Sequence, residues 1–109
     1  MQSLAALADP TRRRIVELLA ERERTSGELA RKFDMSAPAI SQHLNVLREA
    51  GLITTRAEGQ SRIQSLNPAG LDELEAWLRR TRDFWSRSLD VFERELRAEA
   101  AKTKRKKSS

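Results

Sequence analysis

Apolar positions along this chain change their spacing in a way that divides it into segments. Leu4 and Leu7, with alanines between them, mark a short helical segment ending near Asp9-Pro10. A second helix begins there, because the Asp9 carboxylate can accept from orphan backbone N–H groups and Pro10 loses nothing at the first helical position by lacking a donor. Ile15, Val16, Leu18 and Leu19 supply its buried face, while Arg12, Arg13, Arg14, Glu17, Glu21 and Arg22 supply the wet one. Thr25 and Glu28 stand at capping-box spacing, in which each side chain satisfies a backbone N–H at the other's position. The short third helix that follows carries Leu29, Ala30 and Phe33 and breaks at Asp34-Met35-Ser36. Ser36 caps a fourth helix, whose Ile40, Leu44 and Leu47 recur every three or four residues with Val46 beside them, and Gly51 stands where a left-handed residue closes a helix.

Beyond Gly51 the period falls from about 3.6 residues to about 2. Leu52–Ala57 and Arg62–Leu66 read as two short strands around Glu58-Gly59-Gln60-Ser61, a hairpin. Asn67-Pro68 then caps and starts a last helix of about thirty residues, in which Leu71, Leu74, Leu78, Trp85, Phe92 and Leu96 follow a loose heptad interrupted by Thr81 and Ser88. The expected fold is mainly α with a small β-hairpin. Two helices joined by a short turn, the second capped by Ser and followed by a hairpin, make a winged helix-turn-helix, here with a long C-terminal dimerisation helix.

Charge changes that picture less than its total suggests. The chain carries 21 Lys and Arg against 16 Asp and Glu. Residues 1–66 hold 10 basic and 8 acidic groups, residues 67–101 hold 6 and 8, and residues 102–109 hold 5 and none. The whole excess therefore lies in the last eight residues, a like-charge block with nothing to bury. Residues 1–100 are expected to form one DNA-binding and dimerisation domain, and 101–109 a basic disordered tail that either grips DNA or only solubilises. A length of 109 residues leaves no room for a multi-domain enzyme. The absence of cysteine excludes disulfides, thiolate metal sites and a cysteine nucleophile. No apolar run is long enough to span a membrane, and no basic region followed by a long apolar stretch opens the chain, so a cytoplasmic location is expected.

A helix that reads the major groove keeps its core face on the protein and offers short polar groups to base edges. Ser36, Ser41, Gln42, His43 and Asn45 fall outside the Ile40–Leu44–Leu47 face, and Ala37 and Pro38 offer apolar contact to a thymine methyl. Gln and Asn are the residues that pair with adenine in a bidentate way. His43 admits two readings, a DNA contact or an intramolecularly bonded surface histidine. Arg12, Arg13 and Arg14 read as a solvated face paired with Glu17 and Glu21, rather than as a phosphate clamp.

Ala8-Asp-Pro-Thr-Arg-Arg-Arg-Ile-Val-Glu-Leu-Leu19, Gly27-Glu-Leu-Ala30 and Ser36-Ala-Pro-Ala-Ile-Ser-Gln-His-Leu-Asn-Val-Leu-Arg-Glu-Ala-Gly-Leu-Ile53 together resemble the ArsR family of bacterial winged-helix repressors. The resemblance covers about residues 4–66. It implies a homodimer that binds an inverted-repeat operator in double-stranded DNA and represses its own or a neighbouring operon. It also implies that Ser41, Gln42, Ala37 and Pro38 face bases with His43 and Asn45 beside them, and that Arg56, Gln60, Ser61 and Arg62 form the wing. Metal-sensing members of the family use cysteines on the third helix, or Asp, Glu and His pairs on the last. Here the third helix has no cysteine, the last has carboxylates such as Asp72 and Asp83 but no histidine, and the only histidine is His43. The chain thus resembles a branch without metal sites, with no cofactor or metal expected and any effector an unknown small molecule.

Trp77, Phe84, Trp85 and Phe92 all lie on the last helix. Core, dimer interface and an effector pocket are the competing uses for such a set. The interface reading takes Leu4, Leu7, Leu74, Trp77, Leu78, Trp85 and Phe92. With one histidine lacking a partnered carboxylate and no Gly-rich phosphate loop, an enzyme is not expected. The competing function is a protein-interaction module on a winged-helix scaffold that no longer binds DNA.

Overall fold

The computed structural model describes the backbone of residues 2–108 and the side chains of residues 2–102. The elements are α1 (Gln2–Ala6), α2 (Pro10–Glu21), β1 (Arg24–Thr25), α3 (Ser26–Phe33), α4 (Ala37–Glu49), β2 (Ile53–Glu58), β3 (Ser61–Leu66) and α5 (Pro68–Ser108). The caps fall where the sequence placed them. Asp9 accepts from the Arg12 backbone N–H, Thr25 and Glu28 form a full capping box, and Ser36 accepts from the Ala39 N–H. Each satisfies donors that the first helical turn leaves without an internal partner.

The chain divides into two compact units, one ending at Glu75 and one beginning at Ala76. In the first, Ala6, Ile15, Leu18, Leu19, Leu29, Ile40, Leu44, Leu47, Leu52, Ile53 and Leu74 close a single core drawn from the four helices α1–α4, β2 and the start of α5. The α4 stripe at 40, 44 and 47 is buried, as its spacing requires, and turns the opposite face of the helix outward.

A third strand was not expected. β1 pairs antiparallel with β3, through Arg24 opposite Gln64 and Thr25 opposite Ile63, so the sheet order is β1-β3-β2 and the fold is a winged helix with a three-stranded sheet. Two residues cannot display an alternating pattern. This strand exists because β3 offers an otherwise open hydrogen-bonding edge, with Arg24 anchoring it. The Arg24 side chain is only 5% exposed; its Nε donates to the Leu18 carbonyl at 3.2 Å and its guanidinium meets Glu21 at 2.8 Å. The hairpin is tighter than the sequence suggests: Glu58 pairs with Ser61 around a two-residue turn, Gly59-Gln60, with Gly59 at φ +62°.

Gln64 is fully buried in the middle strand, and both ends of its amide are used. Its Oε1 accepts from the Thr55 hydroxyl at 2.6 Å, and its Nε2 donates to Ser26 at 2.9 Å. It therefore ties β3 to β2 and to the start of α3. Gln64→Leu keeps the bulk but strips both hydroxyls of that partner. It is expected to cost about 1–3 kcal/mol, read as a lower urea midpoint with an unchanged slope.

The last turn of α4 closes through a left-handed Gly51 (φ +79°), with the Leu52 N–H bonded to Leu47 and the Gly51 N–H to Arg48. The start of α5 is fastened to this same turn. Asn67 donates from its backbone N–H to Leu52 and from its side chain to Gly51, and Gly70 packs directly on the Gly51 carbonyl.

The second unit consists of the rest of α5, which at 41 residues in all exceeds the helix of about thirty expected from the heptad. Ala101 and Lys102, the first residues of the anticipated tail, continue the helix. The remainder of the expected disordered segment, 103–109, lies outside the residues whose side chains are described. Within this unit Phe84, Trp85, Leu89, Val91, Phe92 and Leu96 are all exposed, and Phe84 meets Trp85 edge to face at 5.9 Å. The anticipated interface set is accordingly split. Leu4, Leu78, Trp85 and Phe92 are exposed and Trp77 is half-buried, whereas Leu7 packs against the protomer's core and Leu74 belongs to it. Leu74 is claimed by that core because it follows Gly70 by about one turn, where α5 is clamped to the α4–β2 junction.

Candidate nucleic-acid interface

α4 presents the face that the sequence assigned to bases. Ala37, Pro38, Ser41, Gln42 and Asn45 are exposed, and Ser36 is exposed with its hydroxyl engaged as the cap. Among the described residues the Ser41 and Gln42 side chains have no hydrogen-bond partner, so their donors and acceptors are available to a ligand. Asn45 is only half available, since its Oδ1 accepts from Arg48 at 2.6 Å. Arg48 also donates to Thr55 at 3.0 Å. A polar chain thus runs from Asn45 through Arg48, Thr55 and Gln64 to Ser26, tying the outer face of α4 to the sheet.

His43 does not join that face. Its ring turns back onto α2, with Nδ1 3.4 Å from the Arg12 guanidinium and 3.9 Å from the Asp9 carboxylate. Asp9 is held below the usual carboxylate range, first by the Arg12 backbone N–H and in smaller part by the nearby His43 and Arg12 charges, against an opposing desolvation effect. Arg12 donates in addition to the Ala6 carbonyl at 2.6 Å, and Arg14 pairs with Glu17 at 3.1 Å. The α2 arginines are therefore spent on the α1–α2 junction and on local pairing.

The wing is also rearranged relative to expectation. Arg56 faces away from α4 and pairs with Glu23, with Glu58 3.6 Å away. That contact raises the Arg56 pKa. Glu23 is lowered, chiefly by the Arg56 hydrogen bond and then by that of Ser65. The strand register explains the orientation. Arg56 is opposite Ile63 on the outer face, whereas Arg62, opposite Ala57, shares a face with Thr55 and Gln64 and points toward α4. Gln60, Ser61 and Arg62 are exposed at and beside the tip.

An open cleft of about 490 Å³ lies between these parts, lined by Ser26, Gly27 and Arg31 of α3, Ser41 of α4, and Gln60, Ser61 and Arg62 of the wing. Sequence reasoning passed over Arg31 because only the tertiary fold places it in the same cleft as Arg62. Among the described residues, no three His, Cys, Asp or Glu side chains stand together as a metal would require, and no helix is long and apolar enough to cross a membrane.

The family model described as "Bacterial regulatory protein, arsR family" matches residues 9–55, which run from the α2 cap through α4 into β2. HTH-type transcriptional regulator Rv2034 of Mycobacterium tuberculosis is 48% identical over 80% of this chain and 78% of its own length. The chain belongs to the arsR family. The transcriptional repressor SdpR of Bacillus subtilis is 41% identical, over 67% of this chain and 81% of that protein. A crystal structure of an ArsR family transcriptional regulator superposes with a TM-score of 0.71 at 34% identity, covering 78% of this chain and 93% of that one. A solution structure described as a homodimeric winged helix-turn-helix DNA-binding domain from Mycobacterium bovis aligns with a TM-score of 0.62 at 28% identity, over 75% of this chain and 76% of that chain. The arsR-family chain is thus a transcriptional regulator with a DNA-binding winged helix-turn-helix, and not an enzyme.

Proposed function

We propose that this arsR-family regulator acts as a homodimeric repressor that reads an inverted-repeat operator in the DNA of its own or a neighbouring operon, without sensing a metal. The observation that carries the reading is the outward, unpartnered Ser41-Gln42 pair on a rigidly capped α4 beside the wing. Ala37 and Pro38 flank the pair as apolar contacts for thymine, Asn45 contributes its free amide hydrogens, and Gln60, Ser61 and Arg62 approach the sugar-phosphate edge. Ser36 acts as the cap that fixes α4, His43 holds the same helix onto α2, and Arg56 braces the wing through Glu23. The exposed apolar residues Leu4, Leu78, Trp85 and Phe92 supply the association surface with Trp77, and dimerisation places two α4 helices in successive major grooves, about 34–36 Å apart. The homodimeric M. bovis domain supports the dimer, and the SdpR repressor supports the sign. The ligand chemistry supports the absence of metal sensing, because the chain has no cysteine and its one histidine is committed to Arg12 and Asp9. The expected result is a mobility shift of DNA from upstream of the gene at physiological salt that excess random duplex does not abolish. A reporter placed behind the same DNA should fall when the protein is expressed. Equal competition by random duplex would overturn sequence-specific regulation, and a rising reporter would overturn repression.

A further inference from the structure

Most cations of the first unit are already engaged. Arg12 and Arg13 donate to carbonyls of the α1–α2 junction, Arg14, Arg22, Arg24 and Arg56 pair with carboxylates, and Arg48 bonds Asn45 and Thr55. Among the described Lys and Arg residues of this unit, Arg31, Lys32 and Arg62 alone have no ion pair or side-chain hydrogen bond. Two of the three, Arg31 and Arg62, line the same open cleft, one from α3 and one from β3, together with the α4 residue Ser41. The Arg31 head group does not extend freely into solvent: its Nη1 lies 3.5 Å from where a side chain on Gly27 would begin, so it folds back over the first turn of α3. Nothing acidic lines the cleft; its remaining polar groups are Thr25, Ser26, Ser41, Gln60 and Ser61.

We propose that Arg31 and Arg62 form a two-sided clamp for one backbone phosphate of duplex DNA, seated in the cleft between α3 and the wing. This deepens the operator-binding reading and rests on it. A guanidinium from each wall can donate two N–H groups to one phosphate, a geometry that a single arginine or a flexible lysine does not provide. The cleft opens beside Ser41, so the clamped phosphate sets the depth and register at which Gln42 meets the groove. Phosphate contacts position, and base contacts specify. The clamp therefore governs affinity for any duplex and leaves the choice of sequence to α4. Arg62 then has a defined partner in Arg31, a residue that no motif along the chain singles out.

The test is the salt dependence of binding by the full chain, measured by fluorescence anisotropy on labelled upstream DNA and on a random duplex of equal length. Arg31→Ala and Arg62→Ala are each expected to lower affinity for both duplexes by a similar factor. Each should also reduce the slope of log affinity against log salt, and the double variant should lose no more than about one for every protomer bound, because both side chains act on a single phosphate. Arg31→Lys should restore part of the slope but not the full affinity. Arg14→Ala, which removes an equal charge from α2, should leave the slope unchanged. Urea midpoints should match the wild type, since neither clamp residue has an internal partner to lose. An unchanged slope in Arg31→Ala would overturn the clamp even if operator preference is intact. So would a loss confined to upstream DNA, which would make Arg31 a base contact. Failure of the wild type to prefer upstream DNA, with the slope changes present, would overturn the operator reading and leave the phosphate site standing.

Discussion

Gly70→Ala is expected to be the most destabilising single-methyl change in the winged-helix unit. A Cβ at position 70 would lie 1.8 Å from the Gly51 carbonyl oxygen and 2.7 Å from its carbon, contacts that only a shift of backbone can relieve. Neither side yields readily. Gly51 is fixed by its left-handed φ and by two helix-closing hydrogen bonds, and α5 is fixed by Asn67 bonding to Gly51 and Leu52. Overpacking of this kind costs about 1–3 kcal/mol and sometimes more, and here the upper end applies because the obstacle is main chain. Gly51→Ala makes the informative contrast. A Cβ there meets nothing within 4 Å, so only the positive φ penalises it, at about 1 kcal/mol. Urea unfolding of the two variants should rank them in that order. An equal midpoint for Gly70→Ala and the wild type would mean that α5 does not pack on the α4–β2 turn as described.

The second large effect is functional. Gln42→Ala removes an exposed side chain with no internal partner, so its stability should match the wild type. A bidentate contact between a Gln amide and adenine contributes about 1–3 kcal/mol of discrimination. Affinity for upstream DNA should therefore fall about 5- to 150-fold for each half-site engaged, while affinity for random duplex, which depends on phosphates, should hardly move. The same loss on both duplexes would transfer Gln42 to the phosphate-contacting set. No loss on either would mean that α4 does not read bases in this protein.

The sequence was most informative where structure is local. Asp9, Thr25 with Glu28, and Ser36 mark helix starts through hydrogen bonds spanning three residues, so reading along the chain finds them. The buried stripe of α4 follows from helical spacing alone, and with it the outward position of Ser41 and Gln42. Reading failed wherever a partner lies far along the chain. β1 is two residues long and owes its existence to a strand some forty positions later. The wing arginines are chemically alike, yet one is neutralised by Glu23 and the other left open, because strand register alone decides which face each occupies. His43 stands in the middle of a recognition-helix signature, but its ring is captured by α2. Leu74 fits a heptad as well as Leu78 does; the clamp between Gly70 and Gly51 assigns the first to the core and leaves the second exposed.

By itself, then, the sequence determined the helices, their caps, the hairpin and the outward polar face of α4. It did so because capping, periodicity and turn formation are short-range and each residue type carries its own preference. The tertiary structure alone decided which cations remain free. An arginine is available to a phosphate only if no carboxylate or carbonyl reaches it first, and that competition is settled by the packing of segments distant in the chain. Arg56 and Arg12 lost their freedom in that competition, and Arg31 and Arg62 kept theirs and came to share a cleft.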